Sequence, residues 1–197
     1  MHLSASAIVC SCRSHGEHGA IARLMTAEAG LMAGYIRGGR SRRMRPILIA
    51  GNVVAADFRA RTADQLPSLS VELAHSRAPL MSEPLAAAAI NWVTSLTSVA
   101  LPEGHAYPSI HSALGGLLDA IELSSAASGW AGALVRYETL ILAELGYGKA
   151  LEPMTSLRTA LVRNGRAIDA HLLHGPRADD IAMVRERLVD RLHRGIA

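Results

Sequence analysis

Residues 31–45 read LMAGYIRGGRSRRMR. The first letters alternate, with Met32 and Ile36 on one side and Tyr35 and Arg37 on the other, the period of a strand with one wet face. Gly38 and Gly39 then interrupt the alternation, and a glycine pair permits tight turning and close backbone approach. Five arginines, Arg37, Arg40, Arg42, Arg43 and Arg45, fall within nine positions with no acid among them. The stretch predicts a strand that delivers a basic loop.

The same alternation recurs on both sides of it. Val54, Ala56, Phe58 and Ala60 alternate with Ala55, Asp57, Arg59 and Arg61, and Leu69, Val71 and Leu73 with Ser70 and Glu72. Near the start, Ile8, Cys10 and Cys12 are expected to share a core-filling face, and IARLM at 21–25 supplies a further strand. Turn signals at HGEHG, EAG, GG and DQLP separate these runs. Five short strands in about seventy-five residues predict a small closed barrel, because closure removes the edges of a short antiparallel sheet.

Beyond SRAPLMSEP the period lengthens. Ile110, Leu114, Leu117, Leu118 and Ile121 form one helical stripe, with Pro108 at a first-turn position. Trp130, Leu134, Tyr137, Ile141 and Leu145 form a second, stopped by Gly146. Ile181, Val184, Leu188 and Leu192 form a third, with Asp179 and Asp180 in its first turn and Arg191 and Arg194 in its last, as the helix dipole favours. Residues 85–101 are apolar all round and read as a buried helix. The expected division is therefore a barrel over residues 1–77 and a helical bundle over 78–197, an α+β chain.

Charge follows that division. Residues 1–77 hold ten arginines against five acids, net +5, whereas 78–197 hold ten bases against twelve acids, net −2. Nineteen of the twenty bases are arginine, the group suited to phosphate forks and base stacking. A tyrosine beside guanidinium groups on a barrel face is what single-stranded nucleic acid requires, rings for bases and charges for phosphates. Tyr35, Arg37, Arg40, Arg42, Arg43 and Arg45 are the candidate binding residues. If all five arginines met phosphates, log affinity against log salt would slope at about −3.5, a roughly hundredfold loss between 50 and 200 mM.

Other chemistries lack their residues. Two cysteines, Cys10 and Cys12, are too few for a disulfide framework or a four-cysteine zinc site and fit a reducing cytoplasm. His15 and His18 flank a turn with no third ligand apparent, so they read as turn residues and no metal or cofactor is expected. There is no G-x-S-x-G elbow and no G-x-x-x-x-G-K-[ST] loop, so neither an acyl-transfer nucleophile nor nucleotide hydrolysis has visible machinery, and no enzyme is expected. MHLSASAIVC lacks the basic and long apolar regions of a signal peptide. The apolar stretch from Leu85 to Leu101 is too short and too polar for a membrane span.

Taken together, HGEHGAIARLMTAEAGLMAGYIRGGRSRR, LSVELAHSR, AYPSIHSALGGLLDAI and RYETLILAELGYG resemble the RecO family of bacterial DNA repair proteins. The most specific elements are Gly16 and Glu17, Thr26 and Gly30, the glycine and arginine run at 37–43, and ELGYG at 144–148. The resemblance implies a barrel of the oligonucleotide-binding type followed by a helical domain. It implies binding of single- and double-stranded DNA and ATP-independent annealing. It also implies work with RecR and the acidic tail of the single-strand-binding protein, so that RecA is loaded near the nucleoid. Many members carry a four-cysteine zinc module after a segment like LGYG; residues 149–176 contain no cysteine, so neither zinc nor that module is carried over. Arg136 and the group Arg158, Arg163 and Arg166 are candidates to receive carboxylates. A protein-interaction adaptor acting through the helical half, and a small hydrolase with histidine-bound metal, are the competing readings.

Overall fold

A computed structural model describes residues 1–62, 65–148, 156–175 and 178–195, with side chains described as far as 192. Five strands come first: β1 (His2–His15), β2 (Gly19–Thr26), β3 (Gly30–Ile36), β4 (Val53–Arg59) and β5 (Ser68–His75). They close into a barrel in the order β1-β2-β3-β5-β4, antiparallel throughout except for the β3–β5 seam. Five helices follow: α1 (Pro84–Ala100), α2 (Pro108–Leu123), α3 (Ala131–Glu144), α4 (Leu157–His171) and α5 (Ala178–Gly195). The chain forms two compact units. Where the sequence suggests a boundary after residue 77, the first unit runs on to Ser82 and also takes in Leu101–His111, and the second holds the rest.

The barrel interior is built from Ala7, Val9, Ala22, Leu24, Met32, Ile36, Val54, Ala56, Phe58 and Leu69, with Leu48 from the β3–β4 loop closing it. Small and large side chains mix because five strands enclose little space, and Phe58, with no exposure, takes much of it. At the parallel seam only Tyr35 and Ser68 pair. There the backbones come so close that a Cβ on Gly34 would lie 2.6 Å from that of Leu69. On the outer surface, Ile8, Met25 and Leu31 are register neighbours. All three are buried, and the Leu101–His111 segment bridges to Leu31 through Glu103. Gly30 turns there at φ +67°, with the His105 carbonyl where a Cβ would stand.

The expected shared face of Ile8, Cys10 and Cys12 does not exist. A bulge between Val9 and Ser11 leaves Cys10 outside the pairing, so the faces change parity along β1. Ahead of it Ala7 and Val9 point inward. Beyond it Cys12 pairs with Ala22 and takes the inward side at the barrel's open end. Cys10 is buried and Cys12 exposed, so only Cys10 fills core. Burial pushes the Cys10 thiol up to about 12. Leu73, expected inside β5, is exposed as well, although it pairs with the buried Val54.

The helical stripes are buried as their spacing predicts, except that Leu145 and Val184 are half-buried, and Trp130 and Leu145 cap α3 at its two ends instead of lying within it. Helix α4 has no counterpart in the sequence reading. Its start is fixed by Ser156, whose hydroxyl accepts the Thr159 N–H at 3.1 Å. Its inner face carries a polar residue, Asn164, which donates to the Val135 carbonyl (3.1 Å) and Thr139 Oγ1 (3.0 Å) of α3. At the centre of this unit sits Glu138, 1% exposed. It accepts from Trp92 Nε1 at 2.9 Å and from Arg185 Nε and Nη2 at 3.0 and 3.1 Å. Arg185 Nη2 also donates to the Leu161 carbonyl at 2.8 Å, and Gly165 leaves room for the guanidinium, which a Cβ would meet at 2.4 Å. One carboxylate thus ties α1, α3, α4 and α5 together.

Candidate nucleic-acid interface

The six sequence-predicted residues gather at one end of the barrel. Strand β3 carries Tyr35 on its outward side, opposite the core residues Met32 and Ile36. Its ring lies across Gly19 of β2, so closely that a Cβ there would be 2.4 Å from Cε2. His15 meets the ring edge-on, with centroids 6.0 Å apart. Pairing of Arg13 with Ile21 and of Ile21 with Tyr35 places Arg13 in the same outward row. Arg13 and His15 are both exposed and extend the patch beyond what the arginine run showed. Arg13 and His15 lie 22 and 20 positions before Tyr35 in the chain, and strand pairing brings them to it.

Past Ile36 the chain turns at Gly38 (φ +68°), and Gly39 packs against Ala20, where a Cβ would approach 2.6 Å. The loop is then tied down by its own arginines. Arg40 Nη1 donates to the Glu17 carbonyl at 2.9 Å and its backbone N–H to the His18 carbonyl at 3.3 Å. Arg45 Nε donates to the Arg40 carbonyl at 3.2 Å. Met44, Ile47 and Leu48 turn inward and plug the barrel. This leaves two shallow depressions that share Arg40 and Arg45. Glu17 and His18 border one, and Cys12 and Ser14 the other.

Arg37, Arg42 and Arg43 are exposed and make no hydrogen bond or ion pair among the described residues. Arg40 and Arg45 bond only to backbone carbonyls, which leaves them their full charge and most of their five donors. None of the five is neutralised by a carboxylate among the described residues. Contrast Arg23, on the same outward side of β2, whose guanidinium is paired with Glu103 at 2.6 Å. An array of cations without counter-ions, on the loop that follows a partly buried ring, has the chemistry to meet phosphate and to stack. Among the described residues no three of His, Cys, Asp and Glu gather as a metal site. No helix there is long and apolar enough to cross a membrane.

A five-stranded Greek-key barrel with a basic loop at its mouth and a helical unit after it is a protein of the oligonucleotide-binding barrel class. The profile described as Recombination protein O N terminal matches residues 1–77, and that of Recombination protein O C terminal matches residues 81–152. DNA repair protein RecO of Rhodospirillum centenum is 41% identical over 149 residues, covering 75% of this chain and 58% of its own length. The RecO protein of Gluconacetobacter diazotrophicus is 38% identical over 177 residues, 85% of this chain and 70% of its own. That of Caulobacter sp. strain K31 is 36% identical over 169 residues, 82% and 68% respectively. The chain belongs to the recombination protein O family, whose members are DNA repair proteins. It spans a little under three fifths of the length of the first of these relatives.

Proposed function

We propose that this protein binds single- and double-stranded DNA through the barrel end and anneals complementary strands without nucleotide hydrolysis. In this reading it is a mediator of recombinational repair. It assists RecA loading together with RecR and the acidic tail of the single-strand-binding protein, as its family membership suggests. One observation supports the DNA contact above the others: the loop that follows Tyr35 and β3 carries five arginines, and among the described residues no carboxylate neutralises them. Phosphate is the counter-ion such an array lacks.

The geometry sorts the arginines for the test. Arg40 holds the loop to the β1–β2 turn and Arg45 holds the Arg40 carbonyl within the loop, so their loss mixes folding with binding. Arg42 and Arg43 hold nothing. Replacing both with Gln is expected to make the slope of log affinity against log salt for a labelled single strand shallower by about 1.4, at roughly 0.7 per phosphate contact. Annealing of complementary strands falls with it. Unchanged affinity, slope and annealing in a folded variant would remove the loop from the interface. Co-migration of RecR or the single-strand-binding protein with a chain showing no DNA affinity would favour the adaptor reading instead.

A further inference from the structure

Helix α4 presents an outward surface that no part of the barrel reading uses. Arg158, Val162, Arg163, Arg166 and His171 line a depression floored by Ala167 and Ala170. Arg158 to His171 span thirteen residues, about 20 Å of helix at 1.5 Å per residue. Arg158 and Arg166 are exposed and have no partner among the described residues. Asp169 is the only acid of this helix and does not border the depression. At its C-terminal end, His171 stacks on Tyr147 with centroids 4.8 Å apart and planes 4° from parallel.

Tyr147 is held there by the end of α3. Gly146 takes φ +83° and donates to the Ala143 carbonyl at 3.0 Å, while the Tyr147 N–H donates to the Leu142 carbonyl at 2.8 Å. These paired bonds close α3 in a Schellman motif, which orients the residue that follows the glycine. Tyr147 stays 50% exposed, so an aromatic ring already stacked on one side remains open to solvent.

We infer that this face of α4, with Tyr147 at its end, is a second contact for single-stranded polynucleotide, separate from the barrel. The two unpartnered guanidinium groups of Arg158 and Arg166 suit the repeating charge of a phosphate backbone, and a fixed, half-exposed ring suits a base. A peptide with an acidic terminus fits less well. Arg158 and Arg166 stand about 12 Å apart along the helix at 1.5 Å per residue, a spacing that suits a repeating backbone charge better than one terminal carboxylate. The inference rests on the DNA-binding reading and adds to it: annealing needs two strands held at once, and two separate contacts on one chain supply that.

The test compares two variants of the full chain with the unmodified protein. Arg158→Gln with Arg166→Gln changes two exposed positions on the α4 face, and Arg42→Gln with Arg43→Gln changes the barrel. A separate Tyr147→Leu variant removes the ring. With a labelled oligonucleotide, the α4 pair is expected to lower the salt slope by about 1.4, the same amount as the barrel pair. The annealing rate is expected to fall with either pair and to fall further with both. Photocrosslinking of an iodouracil-substituted strand is expected to mark the Tyr147 peptide and to lose that mark in Tyr147→Leu. If the barrel pair weakens binding while the α4 pair leaves slope, annealing and crosslink unchanged, the second contact is refuted and the DNA reading stands. If neither pair changes anything, the DNA reading itself has failed. If the α4 pair abolishes binding of a short acidic peptide bearing one apolar side chain, and leaves the polynucleotide untouched, the face belongs to a protein partner and the inference is overturned.

Discussion

Two regions use arginine in opposite ways: the loop at the barrel end and the core of the helical unit. At the barrel end Arg42 and Arg43 stand in water without a carboxylate, and the fold asks nothing of them. In the helical unit Arg185 is 12% exposed and meets both oxygens of a buried glutamate, a main-chain carbonyl and the face of Trp92, 5.6 Å from the ring centroid. The barrel is held by its apolar interior and by close packing at residues without side chains, as at Gly34. The contrast separates charge left free by the fold from charge consumed by it, and it is invisible in a count of arginines.

The largest effect should come from stranding the buried cation. Glu138→Ala leaves Arg185 without its partner inside the helical unit and is expected to cost about 3–5 kcal/mol in denaturant unfolding. Glu138→Leu combined with Arg185→Met should recover much of that loss, which a double-mutant cycle measures. Next in size, Gly34→Ala forces a methyl against Leu69 and is expected to destabilise the barrel by about 1–3 kcal/mol, read from the same unfolding curves. Arg42→Gln with Arg43→Gln should move stability by less than about 0.5 kcal/mol while changing the salt dependence of strand binding. A clear stability loss in that pair would break the distinction between the two units.

The smallest effect is a pH dependence on the barrel wall. The Arg59 guanidinium, then His2 and Ser4, hold the Asp57 carboxyl well below the usual carboxylate range. A depressed carboxylate stabilises the fold above the unfolded value of about 4, and that contribution is lost as pH falls below it. Asp57→Asn is therefore expected to lower the melting temperature slightly at pH 7, solvent screening keeping the effect small, and that difference is expected to shrink as pH falls below about 4.

Strands β3 and β4 and the stripes of α2 and α5 were legible because each keeps one period over its length. Strand β1 was not. The residue that flips its faces, Cys10, shows itself as an extra only against the partner strand, where Val9 and Ser11 pair with consecutive residues of β2. Helix α4 was hidden for a related reason. Asn164 and Gly165 interrupt its apolar stripe, and both are there for neighbours distant in sequence, one bonding to α3 and the other making room for Arg185. The arginine run announced the loop at the barrel mouth. Nothing local distinguished Arg40 and Arg45, which brace that loop, from Arg42 and Arg43, which do not.

The bracing by Arg40 has an entropic side. Because its guanidinium straps the loop to the Glu17 carbonyl and Met44, Ile47 and Leu48 anchor it from beneath, a polyanion reaching this surface meets a preorganised scaffold. Only side-chain rotamers, about 0.5–1.5 kcal/mol each, remain to be frozen on association.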